Sequence, residues 1–114
     1  MKDKIYRVFS IYLEVLKKSH QPEIQLDSST SSSIHQAIVD FGYKEVILVM
    51  EYLKDSNDNY AMFMRGQAFN STQAWLDLRT IFKEDKWQDK VKKSEAWKRT
   101  REQVQDLYIP FRIK

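Results

Sequence analysis

Asp3-Lys4-Ile5-Tyr6-Arg7-Val8-Phe9-Ser10-Ile11-Tyr12-Leu13-Glu14-Val15-Leu16-Lys17-Lys18-Ser19 sets the fold class from the start of the chain. Ile5, Val8, Phe9, Tyr12, Leu13 and Leu16 recur at spacings of three, one, three, one and three, which is one face of an α-helix. Lys4, Arg7, Glu14 and Lys17 fall mostly on the outside. Pro22 lies just past Lys17-Lys18-Ser19-His20 and stops the helix.

The rest of the chain repeats this pattern in shorter pieces. Asp27-Ser28-Ser29-Thr30-Ser31-Ser32-Ser33 reads as a loop, because hydroxyl side chains compete for backbone hydrogen bonds, with a later serine capping the next helix. That helix carries Ile34, Ala37, Ile38 and Phe41 and ends at Gly42. A third helix, Tyr43 to about Lys54, has the most apolar face (Val46, Ile47, Val49, Met50, Leu53) and is expected at the centre of the core. Asp55 to Asn59 forms a turn that caps a short helix, Tyr60 to Met64, which breaks at Arg65-Gly66-Gln67. Thr72 is expected to open a helix with Trp75, Leu76, Leu78, Ile81 and Phe82. Residues from Lys83 to about Leu107 are charged and helix-favouring, and Tyr108 to Lys114 are predicted extended because of Pro110.

Composition supports a single all-α domain, residues 1–114, built as a compact bundle of about five to six short helices. Hydrophobic residues make up 42% with 15 aromatics, enough for one core, and the two Gly and two Pro are too few for an all-β chain. The absence of cysteine removes disulfides and thiolate metal sites and suits a reducing, cytoplasmic compartment. The N-terminus lacks the continuous apolar run of a signal peptide. The longest apolar run, Val46 to Met50, falls far short of the ~20 residues a bilayer span requires, so no membrane partner is expected.

Nothing in the sequence supports an enzyme, a cofactor or a metal. His20 and His35 lack ligand spacing. Ser32 and His35 stand three apart with nothing to orient the imidazole, and two glycines 24 positions apart build no phosphate loop.

Charge is unevenly placed. Residues 57–114 carry 12 basic and 8 acidic groups, against 7 and 8 in residues 1–56, so an anionic partner is expected at the C-terminal half. In one continuous helix, Lys83, Lys86, Lys90, Lys93, Trp97 and Arg101 stand at offsets 0, 3, 7, 10, 14 and 18 and share a face at about 100° per residue. Such a stripe suits nucleic acid: the cations pair with phosphates and the indole stacks on a base. The competing reading is a solvated helix in which Glu84, Asp85, Asp89 and Glu95 pair with lysines at i,i+4 while Trp87, Val91 and Trp97 pack inward.

A second constellation runs from Asn59 to Gln67. Its aromatics would anchor two short helices about a glycine turn, and Arg65 is expected to be exposed. Phe63-Met64-Arg65-Gly66, then Trp75-Leu76-Asp77-Leu78 with Ile81-Phe82, then Lys90-Val91, resemble the C-terminal helical domain of phage and prophage replication proteins, the replisome organisers and helicase-loader-associated proteins. The helices from Ser31 to Leu53, ending near Phe-Gly-Tyr, are similar to the start of that domain.

The resemblance covers about residues 28–95, between an N-terminal helix and connection (1–26) and a C-terminal helix end with extended tail (96–114). The Gly and Tyr that follow Lys-Val in those proteins are replaced by Lys92-Lys93-Ser94-Glu95-Ala96-Trp97. The resemblance implies a replication-accessory binding protein in a bacterial host cell. It would contact DNA through Lys86, Lys90, Lys93 and Arg101, and a host or phage replication protein through Arg65, Gln67 and Trp75. The alternative is a phage-encoded inhibitor that blocks a host defence or replication complex, in the manner of an anti-CRISPR protein. A homodimer through Tyr108 to Phe111 is a third expectation.

Overall fold

The computed structural model describes residues 1–69 and 72–113, with side chains through Glu102. Six helices occur among them: α1 (Lys2–Lys18), α2 (Ser28–Phe41), α3 (Tyr43–Asp55), α4 (Asn59–Met64), α5 (Leu78–Ile81) and α6 (Glu84–Ile113). No strand is present among the described residues, and the chain folds as one all-α globule. No helix among them is long and apolar enough to cross a membrane.

The organising element is α3. Val46, Val49, Met50, Tyr52 and Leu53 are completely buried, because this helix packs against α1, α2, α4 and α6 at once. The face predicted for the first helix is the one α1 buries, with Ile11 and Val15 added to Val8, Phe9, Tyr12 and Leu16. Gly42 alone joins α2 to α3. Its N–H donates to the Ile38 carbonyl, its own carbonyl accepts from Val46, and its φ of +92° lies where only glycine is unstrained.

Three expectations about local structure are corrected. The hydroxyl run is helix, not loop: Asp27, not a serine, caps α2 by accepting from the Thr30 amide at 2.8 Å. An acidic cap supplies the acceptor that the first free N–H groups need, so Ser28 to Ser33 can occupy the opening turns. These bonds hold the Asp27 carboxyl below its ordinary range. Residues 72–77 are not helical, since the Trp75 amide donates to the Met64 carbonyl at 2.7 Å and draws that segment across α4. Helix α5 begins only after Asp77, whose carboxylate caps it through Arg79 and Thr80.

The third correction concerns the C-terminus. Helix α6 runs unbroken for 30 residues and takes in residues 108–113, which the sequence predicts as extended. A proline inside a helix removes one hydrogen-bond donor and crowds the preceding turn, at a cost of about 3 kcal/mol, and Pro110 stands only three residues before the end of α6. The dimer expectation rests on side chains from Tyr108 to Phe111 and lies outside the described side chains.

Candidate nucleic-acid interface

The continuity of α6 meets the condition for the basic stripe, yet packing turns that stripe partly inward. The inner face is set by Trp87, Val91 and Ser94, all buried. Trp87 stacks on Phe41 with ring centroids 4.3 Å apart, and its indole Nε1–H donates to Glu45 Oε1 at 2.6 Å. Lys90 lies about 60° from Trp87 around the helix, so it is carried into the interface and is only 2% exposed. Burial pulls its ammonium below the ordinary lysine value, against the pull of Asp89 and Asp85. Lys90 is therefore not free to pair with a phosphate, and this part of the sequence expectation is corrected.

The other members of the stripe reach different surroundings. Lys83 and Lys86 are exposed. Lys93 is half-buried, 2.8 Å from the Asp89 carboxylate and 5.1 Å from the centre of the Tyr60 ring. Lys86, Lys90 and Lys93 surround Asp89 and, led by the hydrogen bond from Lys93, hold its carboxyl below the usual range. Trp97 is half-buried with its ring edge-on to Tyr52, and the Arg101 guanidinium sits over it at 5.6 Å. The stripe is thus not a single ligand-facing row. The inward packing of Trp87, Val91 and Trp97 belongs to the competing reading of the sequence, and it accounts for this half of the helix.

Further exposed cations of α6, Lys92, Lys98 and Arg99, lie off the stripe. From Lys92 to Arg101 the helix carries Lys92, Lys93, Lys98, Arg99 and Arg101 against Glu95 alone. From Lys98 to Glu102 every residue is exposed. A cleft of about 500 Å³ opens between this segment and α3, lined by Lys44, Ile47, Trp97, Lys98 and Arg101 among others. Lys92, Lys98 and Arg99 are absent from the stripe chosen from the sequence. Helical spacing placed them off its face, and only their exposure brings them forward.

The Arg65–Trp75 region divides in the same way. Arg65 is 1% exposed, contrary to expectation. Its Nη1 donates to the carbonyls of Leu53 and Ser56, both at 2.7 Å, and its Nε donates to Gln67 Oε1 at 3.0 Å. The guanidinium therefore closes the C-terminal end of α3, where carbonyls lack helical partners. Burial draws it below the ordinary arginine value, opposed by Asp55 and Asp58. Gln67 is committed as well, since its Nε2 donates to the Lys18 carbonyl at 2.8 Å. Neither side chain is available to a partner. Trp75 is: it is 38% exposed and lies nearly parallel to Phe63, also exposed, with centroids 6.2 Å apart.

Among the described residues no three histidine or carboxylate groups gather as a metal site. Compared with known proteins, the chain matches no family model, and no curated protein or solved structure is significantly similar to it.

Proposed function

We propose that this chain is a small nucleic-acid-binding protein of the phage replication-accessory kind, which holds the phosphate backbone on the C-terminal part of α6. The observation that carries the proposal is the run from Lys92 to Arg101, five cations and one acid, of which Lys92, Lys98, Arg99 and Arg101 are exposed. A phosphate backbone gains from several accessible cations at once, through release of its condensed counterions. Lys83 and Lys86 extend the basic surface toward the N-terminal end of the helix. The replication setting rests on the motif resemblance of residues 28–95, of which Phe63 and Trp75 stay exposed.

The test is fluorescence anisotropy with labelled single-stranded and duplex DNA. Three phosphate contacts predict log–log salt slopes of about −2 on single strands and −2.7 on duplex, or roughly 20- to 40-fold weaker binding between 50 and 200 mM salt. The combined variant Lys92→Glu, Lys98→Glu, Arg99→Glu is expected to abolish binding and leave the melting temperature close to that of the parent, since all three side chains are exposed. No binding by the parent chain at low salt refutes the proposal. Stoichiometric capture of a host complex by that same chain would then support blockade by protein contact.

A further inference from the structure

We infer that the strand held by α6 is single-stranded, and that its bases stack on the exposed ring pair of Phe63 and Trp75. The inference rests on the nucleic-acid reading of α6 and adds which strand form is taken and where its bases go.

Lys93 of α6 lies 5.1 Å over Tyr60, the second residue of α4. Phe63 follows Tyr60 by three residues, so the two rings are neighbours along α4, with Cβ atoms ~5–6 Å apart. Phe63 in turn lies at 6.2 Å and 18° from Trp75. Lys93, Tyr60 and then the two exposed, nearly parallel rings of Phe63 and Trp75 thus succeed one another from α6 along α4. On α6 itself Lys86 stands seven residues before Lys93, about 20° away around the helix, so it adds a second cation on the same side. Asp89, between them, offsets part of that charge.

The other rings near cations are already occupied. Lys2 covers Tyr6, Lys4 covers Tyr43, Lys93 covers Tyr60 and Arg101 covers Trp97, while Trp87 is buried in the core. Phe63 and Trp75 instead present ring surface to solvent. They are also held in place. The Trp75 amide is bonded to the Met64 carbonyl, and the backbone of Thr72 to Ala74 passes so close to Gly66 that a Cβ there would meet it at 2.8 Å. Sequence-tolerant single-strand binders combine fixed aromatic surface with a basic groove, since every unpaired base has a π-face to stack. Bases in a duplex are stacked on one another and offer only their edges, so the shelf gains nothing from duplex DNA.

The full-length chain is titrated with a fluorescein-labelled oligothymidylate and with a duplex of equal length, alongside Trp75→Ala, Phe63→Ala and the ring-preserving Trp75→Phe. Single-strand binding is expected to fall about 5- to 100-fold in each alanine variant. The salt slope and the duplex affinity should stay put, and Trp75→Phe should recover most of the loss. In the parent chain, single-strand binding is expected to quench the emission of the exposed indole, a readout that needs no variant. Salt-sensitive binding that Phe63→Ala and Trp75→Ala leave unchanged overturns the stacking inference while the α6 reading stands. Duplex binding as tight as single-strand binding does the same. Loss of binding to both strand forms only in the combined Lys92, Lys98 and Arg99 variant would assign the ring pair to a protein partner instead. No binding to either form overturns both readings.

Discussion

Replacing Arg65 by methionine tests whether this side chain is a helix-closing element or a partner contact. Methionine keeps much of the stem and the apolar packing while removing the guanidinium. What is lost are two 2.7 Å bonds to the carbonyls of Leu53 and Ser56 and the bond to Gln67. Hydrogen bonds from charged donors are worth about 1.5–3 kcal/mol each, so the two carbonyl bonds alone put the loss near ~3–6 kcal/mol. For 114 residues the entropy of unfolding is ~0.24 kcal/mol per degree, and the melting temperature should fall by ~12–25 °C. Circular dichroism melts and urea titrations measure both quantities. Arg65→Lys should recover only part of the loss, because one ammonium cannot reproduce the forked set of donors. A variant that melts within ~3 °C of the parent would refute the closing role. Loss of a binding partner at unchanged stability would return Arg65 to the surface role its sequence context suggests.

Three further outcomes follow from the packing. Lys90→Met should leave stability at neutral pH unchanged or raise it, since a largely desolvated charge is exchanged for an apolar stem of similar length; a loss above ~1 kcal/mol in urea titration would mean that the ammonium holds a partner. Tyr12 donates to the Leu76 carbonyl at 2.6 Å, and burial pushes its hydroxyl from 10.0 up to about 12. Its contribution is therefore complete below pH 10 and is lost as pH rises through about 12. Urea midpoints measured between pH 9 and 12 should decline less steeply in Tyr12→Phe, and an identical slope would contradict the assignment. Gly66→Ala places a Cβ 2.8 Å from two backbone atoms at φ +71°, whereas Gly42→Ala meets nothing within 4 Å at φ +92°. Both are strained, by about 1 kcal/mol for the left-handed backbone, but Gly66→Ala should be clearly the more destabilising in paired melts.

Local sequence is enough to place the helices that carry a strong apolar face. The period of 3.6 residues and the ends marked by Pro22 and Gly42 are local properties, written within a few residues of where they act. The centrality of α3 was legible for the same reason, since an unusually apolar face requires several neighbours.

The tertiary structure decided what each polar residue on those helices is for. On α6 the cations stand on nearly every side, so spacing alone marks no inner face. That face is chosen by Phe41 and Glu45, 46 and 42 positions before Trp87, and their choice buries Lys90. Arg65 looked like a surface charge because its acceptors, the carbonyls of Leu53 and Ser56, are backbone atoms that carry no mark in the sequence. Of the three residues read as a partner site, only Trp75 remains open, because the amide bond to Met64 holds its segment across α4 beside Phe63. Local hydrogen bonding fixes where a helix is. Which of its side chains meet water depends on contacts with distant parts of the chain, and those exist only once the helices have packed.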